Sequence, residues 1–258
     1  MKIATYNVWN EPDHFHMRRL QLLETISALD ADVIGLQEVP ADFYHDDLTK
    51  LAQYPHHVFG QYRGEDEGLA VLSRHPVQEH GFLHETEERS QALHVLLAVE
   101  GLRVSFTTLH LPWDSALEKE RQICAIDGYL HHRQGQADLF ILAGDFNGGM
   151  NTSVHRYLTG GQSLCGQEAN PYWDELATGY QALSGAPILP TLDLIHNPRW
   201  RGQRCAYPPT VMDRLYTWEN DCSLSLRTHG IFGTEVNPAT GWAPSDHYGV
   251  AAEIELSQ

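Results

Sequence analysis

The stretch that decides the fold of this 258-residue chain is Leu139-Phe140-Ile141-Leu142-Ala143-Gly144-Asp145-Phe146-Asn147. Its run of apolar residues predicts a strand that is buried on both faces. The chain then turns polar, and the period of two along a strand places Asp145 and Asn147 on one side at the carboxyl end. Two oxygen-bearing side chains are therefore expected at one edge of a sheet.

Polar residues also interrupt the ends of other apolar runs. Asn7, Glu38 and His110 stand at the ends of three predicted strands, and Asp246 with His247 precedes the last strand. Singly, each has an ordinary explanation as a cap, a solvated carboxylate or a packed histidine. Together they favour a site, because carboxylate and amide oxygens suit a hard cation such as Mg²⁺ while imidazoles transfer protons.

Short β-rich runs alternate with helical patterns and no linker, repeat or low-complexity tract intervenes, which predicts one α/β domain over residues 1–258. The predicted strands are Ile3–Val8, Val33–Gln37, Gly68–Ser73, Leu93–Val99, Val104–Leu111, Asp138–Phe146, Val211–Trp218, Leu224–Phe232 and Tyr248–Leu256. Predicted helices run from Phe15 to Leu29 and from a capping box at Ser115 toward Leu130. Residues 148–210 are expected to be irregular, with short helical fragments at His155–Leu158 and Trp173–Ala177.

The composition limits the class of protein. Seventeen Lys and Arg oppose 34 Asp and Glu, a net charge of −17, so the surface repels polyanions and phosphate binding is expected to need a metal. No stretch approaches the roughly 20 apolar residues of a membrane span. The four cysteines, Cys124, Cys165, Cys205 and Cys222, show no metal-site spacing, and no signal-like segment opens the chain. These features predict a cytoplasmic protein with reduced thiols.

An ordered set of short motifs resembles the endonuclease/exonuclease/phosphatase superfamily across nearly the whole chain. The motifs are Tyr6-Asn7-Val8, Leu36-Gln37-Glu38-Val39, Glu67-Gly68-Leu69-Ala70-Val71-Leu72-Ser73-Arg74, Leu109-His110-Leu111, Gly144-Asp145-Phe146-Asn147, Asp213-Arg214-Leu215-Tyr216 and Ser245-Asp246-His247. The resemblance implies a single-domain, four-layer α/β/β/α sandwich of two facing mixed sheets, with the site at one edge of the sheets.

The resemblance also implies a metal site. Glu38 would be the principal Mg²⁺ ligand, and Asn7 and Asp246 would complete or flank the metal shell. Mn²⁺ is the alternative ion.

Five further residues would carry the chemistry by the same resemblance. Asp145 would position or deprotonate the attacking water, and Asn147 would hold the phosphate or the same water. His247 would contact the phosphate and transfer protons, with Asp213 fixing its tautomer. His110 would stabilise developing negative charge or protonate the leaving oxygen, as in-line phosphoryl transfer requires.

The branch of the superfamily is less sharply indicated. A histidine at position 110 disfavours an abasic-site endonuclease and is typical of deoxyribonuclease-like, sphingomyelinase-like and tyrosyl-DNA phosphodiesterase-like members. The segment Thr191-Leu192-Asp193, followed by Asn197, is loosely similar to the last of these branches. A turn-rich loop explains that segment at least equally well.

The surface gives little sign of broad nucleic-acid binding. Acidic residues concentrate at Asp42, Asp46, Asp47, Glu85, Glu87 and Glu88. The one concentrated basic segment, Arg199–Arg204, either grips a phosphate and stacks a base on Trp200 or simply solvates a loop. Trp9, Trp113 and Trp242 either wall the pocket or pack in the core.

These observations predict a Mg²⁺-dependent phosphodiesterase that acts on a nucleic-acid end or a small phosphodiester. The alternatives are a phosphomonoesterase acting on a sugar, nucleotide or inositol phosphate, and an inactive scaffold of the same fold. No protein partner can be inferred from the sequence.

Overall fold

Two six-stranded sheets form the centre of the molecule in the computed structural model, which describes residues 1–83, 92–201 and 208–257. Within these residues the strands are β1 (Lys2–Asn7), β2 (Val33–Pro40), β3 (His56–Gln61), β4 (Glu67–Ser73), β5 (Val77–Leu83), β6 (Ala92–Val99), β7 (Leu102–His110), β8 (Leu139–Asp145), β9 (Asp174–Glu175), β10 (Asp213–Glu219), β11 (Ser223–Phe232) and β12 (Gly249–Ser257). The helices are α1 (Pro12–Leu29), α2 (Ala41–Asp46), α3 (Ala116–His132), α4 (Ser153–Leu158) and α5 (Leu176–Ser184).

Each sheet is mixed. The first has the order β11-β12-β1-β2-β4-β3, and the second has the order β5-β6-β7-β8-β10-β9. Parallel pairing joins β1 to β2 and β7 to β8, while the other pairings are antiparallel. The parallel strands of each sheet are linked by a helix, α1 or α3, as a crossover connection requires.

Alternation along β8 shows how four layers arise. Leu139, Ile141 and Ala143 enter the core between the two sheets, whereas Phe140 and Leu142 face the layer that contains α3 and α4. On the other sheet, buried residues of α1 and α2 pack against the outer faces of β1, β2 and β4. Both faces of the central strands are covered, which explains their continuous apolar runs. This is the predicted α/β/β/α sandwich.

The nine predicted strands are present with small shifts at their ends, and the Ser115 capping box is formed, since the Ser115 hydroxyl accepts from the Glu118 amide at 3.2 Å. The sequence missed β3, β5 and α2. Strands β3 and β5 are edge strands of the two sheets and are mostly half-buried or exposed, so their sequences alternate weakly. The helical prediction at Trp173–Ala177 was partly wrong, because strand β9 precedes α5 there.

Several predicted features fall outside the described residues: Glu85, Glu87, Glu88, Arg204 and Cys205. Cys124, Cys165 and Cys222 are free thiols. Among the helices of the described ranges, none combines the length and apolar character needed to cross a membrane.

Gly144 lets the end of β8 approach β7. Its φ is +144°, and a Cβ atom there would lie 2.0 Å from the carbonyl oxygen of Leu109. A side chain would therefore push Asp145 away from His110, its register partner on β7.

We expect Gly144→Ala to lower the free energy of unfolding by about 2–4 kcal/mol, because the strained φ and the backbone clash add. Chemical denaturation measures this change. The control is Gly128→Ala in α3, where a Cβ meets nothing within 4 Å and the change should be neutral or slightly stabilising. Equal stability of the Gly144 variant and the wild type would contradict the clash.

Candidate active site

Side chains alternate in direction along each strand, and this alternation brings polar side chains to one edge of the sandwich, between the two sheets. Along β7, β8 and β10 the inward-facing residues include Phe106, Ile141 and Leu215, and the same phase continues to the polar residues at the strand ends. Register then aligns those ends: Asp145 lies opposite both His110 and Asp213. Across from them, Asn7 ends β1 in the same phase as Ile3.

Asp145 lies at the centre of the site and is almost fully buried. Its Oδ1 accepts from the Asn147 amide at 2.8 Å, and its Oδ2 accepts from Asn7 Nδ2 at 3.1 Å. The same Oδ2 lies 3.6 Å from His110 Nε2 and 3.9 Å from His247 Nε2. One carboxylate oxygen is thus flanked by two imidazoles.

Asn147 reaches Asp145 by a turn rather than by strand alternation. Strand β8 ends at Asp145, and Asn147 has a φ of +45°, a conformation that Asn tolerates better than most residues. Its Nδ2 donates to the Leu111 carbonyl at 2.9 Å, and its own carbonyl accepts from Lys119 Nζ at 2.6 Å. The predicted proximity of Asp145 and Asn147 is present, but for a different physical reason.

Glu38 is aimed at the site by a β-bulge. The register between β2 and β4 shifts between Leu36 and Val39, and Glu38 has a φ of +54°. Gln37 still points between the sheets, so plain alternation would send Glu38 to the outer face. Instead, Glu38 Oε1 accepts from Asn7 Nδ2 at 2.9 Å and lies 3.8 Å from His110 Nε2.

Asp213 and His247 form a buried pair, with His247 Nδ1 and Asp213 Oδ2 2.8 Å apart. Burial lowers the pKa of the His247 imidazole, but the Asp213 and Asp145 carboxylates outweigh burial and hold that pKa well above its ordinary value. The Asp213 amide donates to the Thr191 hydroxyl at 3.0 Å, which fixes the start of β10. Nδ1 is therefore occupied, and Nε2 faces Asp145.

Asp246 lies next to this pair in the loop before β12. Burial raises the pKa of its carboxyl to about 6; His247 opposes this rise, and the negative charge of Glu38 adds to it. Nearby Arg18 and Arg199 favour the charged form. A cation between Glu38 and Asp246 would relieve this repulsion and desolvation.

Two groups of side chains could hold a metal ion. Glu38 and Asp246 offer hard carboxylate oxygens, which is the donor set that Mg²⁺ takes beside water and phosphate. Asn7 flanks them, because its Oδ1 accepts from the Trp9 amide while its Nδ2 donates to Glu38 and Asp145. The second group is Asp145, Asp213 and His247, whose ligand atoms lie within 4.8 Å of one another. The Asp213–His247 hydrogen bond already satisfies much of that group, so Glu38 and Asp246 fit the ion better.

Several supporting residues were missed or undervalued in the sequence. The Asn10 amide donates to Glu38 Oε2 at 3.0 Å, and its side chain donates to Glu67 at 2.7 Å. The Ser245 hydroxyl donates to the Asn7 carbonyl at 2.7 Å, and the Ser245 carbonyl accepts from Asn197 Nδ2 at 2.9 Å. The segment 191–197 therefore supports the site from beneath, and its loose motif was the signal available for Asn197.

The two flanks of the site differ in charge. Beside His110 is a cleft of about 410 Å³ whose lining includes Glu38, Glu65, Glu67 and Asp114. Trp113, 75% exposed, stands on its wall. On the Asp246 side lie the cations Arg18 and Arg199.

The other two tryptophans lie on the Asp246 side. Trp9 is buried against Trp242 with their ring centroids 6.0 Å apart, and the Arg18 guanidinium stacks on Trp9. Trp9 is thus a packed residue, whereas Trp113 is a wall residue.

Known proteins share this architecture. The model of the Endonuclease/Exonuclease/phosphatase family matches residues 4–247. Zebrafish (D. rerio) TDP2 complexed with single-strand DNA product superposes with a TM-score of 0.79 at 16% identity, covering 99% of this chain and 98% of that one. A Bacteroides thetaiotaomicron mannosyl-6-phosphatase superposes with a TM-score of 0.75 at 16% identity, and the match covers 99% of each chain. A functionally unknown conserved protein from Enterococcus faecalis superposes with a TM-score of 0.75 at 20% identity, and the match covers 100% of each chain. No curated protein matches in sequence.

Replacement of Asp213 by Asn tests the pair. The amide preserves the shape but favours the wrong tautomer of His247, so we expect turnover to fall on the order of 10²- to 10⁴-fold with little change in KM. Steady-state kinetics on an aryl phosphodiester measure both constants.

The matched control is Asp30→Asn, which removes one carboxylate charge from an exposed ion pair with Arg74 outside the site. It should leave turnover unchanged. A raised KM with normal turnover in the Asp213 variant would instead assign Asp213 to substrate binding.

Proposed function

The chain belongs to the Endonuclease/Exonuclease/phosphatase family, and from that premise we propose that it is a metal-dependent phosphodiesterase. The observation that carries this proposal is the placement of two imidazoles, His110 and His247, within 4 Å of one oxygen of Asp145. In-line hydrolysis of a diester needs a positioned water on one side of phosphorus and help for the leaving alkoxide on the other. Two imidazoles around a carboxylate supply groups for both sides.

Asp145 orients the attacking water in this proposal, and the Asn147 amide helps to hold it or the phosphate. His247, kept in one tautomer by Asp213, contacts the phosphate through Nε2 and shuttles a proton. His110 donates to the leaving oxygen or stabilises its developing charge. Because an alkoxide leaves poorly without a proton, His110 suits the leaving group of a diester, and a monoester's leaving oxygen can use the same help.

Glu38 and Asp246 would hold Mg²⁺, with Mn²⁺ as the alternative, and Asn7 would orient Glu38. When bound, the ion neutralises phosphate charge and polarises the phosphorus–oxygen bonds. In a chain of net charge −17, this neutralisation allows a phosphate to approach so many carboxylates.

Glu38→Gln tests the metal assignment. The variant keeps the size of the side chain but loses its charge, so we expect metal-dependent turnover to fall by about 10²-fold or more. Saturating Mg²⁺ should raise the melting temperature of the wild type but not that of the variant, because only the wild type binds the ion tightly.

The control for the loss of one negative charge is Glu253→Gln, an exposed residue in the middle of β12, which should behave as wild type in both measurements. Near-normal turnover of the Glu38 variant at saturating Mg²⁺ would remove Glu38 from the metal site.

The substrate class follows from charge. The acidic surface opposes long-range attraction of a duplex, whereas one phosphate of a small or single-stranded substrate needs only to reach the site. We expect an aryl phosphodiester or a short single-stranded end to be hydrolysed about tenfold or more faster than duplex DNA in ~0.1 M salt.

A panel of diesters and monoesters, each with Mg²⁺ and with chelator, measures this preference. Hydrolysis confined to sugar, nucleotide or inositol monoesters would favour a phosphomonoesterase, as the fold it shares with the mannosyl-6-phosphatase allows. Efficient, salt-sensitive cutting of duplex would indicate a general nuclease. Inactivity on the whole panel would favour a scaffold.

A further inference from the structure

A guanidinium is held between two indole rings beside the site. The Cζ of Arg199 lies 5.1 Å from the ring centroid of Trp9 and 4.9 Å from that of Trp200. The 3₁₀ turn Pro198–Trp200 that carries Arg199 is capped by Asn197, whose Oδ1 accepts from the Arg199 amide at 3.0 Å. Since Asn197 also donates to the Ser245 carbonyl, the turn is tied to the loop that bears Asp246.

Arg199 forms no ion pair with a carboxylate of the described residues, although the protein is rich in acidic residues. Seven arginines of the described ranges pair with carboxylates: Arg19, Arg74, Arg103, Arg121, Arg133, Arg214 and Arg227. Buried Arg18 instead donates to three backbone carbonyls. Arg199 is half-buried, yet no carboxylate in the described part of the chain lies within 4.0 Å of it, although acids outnumber bases two to one.

Two donors of this cluster are also unsatisfied. Arg199 Nε and Trp200 Nε1 are buried atoms with no hydrogen-bond acceptor among the described residues. A buried donor without a partner destabilises the protein, and an arriving acceptor removes that destabilisation. A guanidinium next to N–H donors without acceptors suits a phosphate, because the planar guanidinium of Arg can donate two hydrogen bonds to phosphate oxygens.

The charge of the other flank decides where a second phosphate could lie. The cleft beside His110 is lined by Glu38, Glu65, Glu67 and Asp114, which repel a phosphate. The Asp246 side carries Arg18 and Arg199. A substrate with two phosphates therefore fits with its second phosphate toward Arg199 and its uncharged group toward Trp113.

We propose that Arg199 and Trp200 form a second anion subsite, which binds a phosphate of the substrate other than the one that is hydrolysed. This deepens the proposed function and rests on it. The substrate class is then a phosphodiester with a neighbouring phosphate on one side only, such as the end of a single strand.

Two chromogenic probes separate the subsite from the reaction centre: the 5′-(p-nitrophenyl phosphate) of thymidine and the same ester of thymidine 3′-phosphate. For wild type we expect kcat/KM to be about 10- to 100-fold higher on the second probe. Arg199→Met, which retains the packing between the indoles, should abolish this preference, so that kcat/KM becomes equal on the two probes. Arg199→Lys should restore part of it, and Trp200→Phe should lose about three- to tenfold on the second probe alone.

The matched control is Arg201→Met, because Arg201 is an exposed neighbour of the same charge. It should retain the preference. An equal loss of kcat/KM on both probes in Arg199→Met would indicate that Arg199 contacts the reacting phosphate. No loss of kcat/KM on either probe would indicate that Arg199 only packs between the rings. Either result overturns the proposal, provided that circular dichroism shows a folded variant.

Equilibrium binding with Ca²⁺, a hard cation of the same charge, in place of Mg²⁺ tests the subsite apart from turnover. Calorimetry with thymidine 3′,5′-bisphosphate and thymidine 5′-monophosphate should show tighter binding of the bisphosphate to wild type, by about tenfold or more, and equal binding of both to Arg199→Met. If wild type hydrolyses neither probe but shows this difference, the proposed reaction fails and the subsite stands. Equal binding of both compounds to wild type would overturn the subsite.

Discussion

The hydrogen bond from Asn7 Nδ2 to Asp145 Oδ2, 3.1 Å long, is the interaction on which the site depends, because it joins the two sheets at the edge where their polar residues meet. The same amide group donates to Glu38 Oε1 at 2.9 Å, so one nitrogen holds the Glu38 and Asp145 carboxylates close together. A second polar link lies deeper, where Gln37 Nε2 donates to the Thr108 hydroxyl at 2.8 Å. Buried links of this kind fix the distance between sheets that apolar packing alone leaves adjustable.

The geometry of the strand ends determines which site residues could be predicted from the sequence. Regular alternation carries Asn7, His110 and Asp145 inward at strand ends, as the apolar pattern indicated. The inclusion of Asp213 came from the family resemblance, and the register that aligns these ends is visible only in the structure. Glu38 required a bulge with a positive φ, and no periodic pattern encodes such a bulge. The apolar run placed Glu38 at a strand end, but its direction toward the site could be anticipated only from the family resemblance. The roles of all these residues remain predictions.

The parts that the sequence missed share a physical cause. Strands β3 and β5 bury little surface, and β9 has two residues, so tertiary pairing decides their conformation rather than local preference. Thr191 and Asn197 lie in a turn-rich segment that looked like a solvated loop. They are buried because their side chains satisfy backbone groups of Asp213 and Ser245, a requirement visible only after the strands are in place.

The charge of the site then explains why a strongly acidic protein can act on phosphate. Half-buried Glu38 converges with the buried carboxylates of Asp145, Asp213 and Asp246, and burial raises the pKa of the Asp246 carboxyl to about 6. Such a cluster is costly unless positive charge approaches it, and His247 and Arg18 supply only part of that charge. In the proposed function, divalent metal and substrate would bind as a neutralising set, so each should favour the binding of the other. The overall surface charge would then disfavour long polyanions without changing the reaction centre.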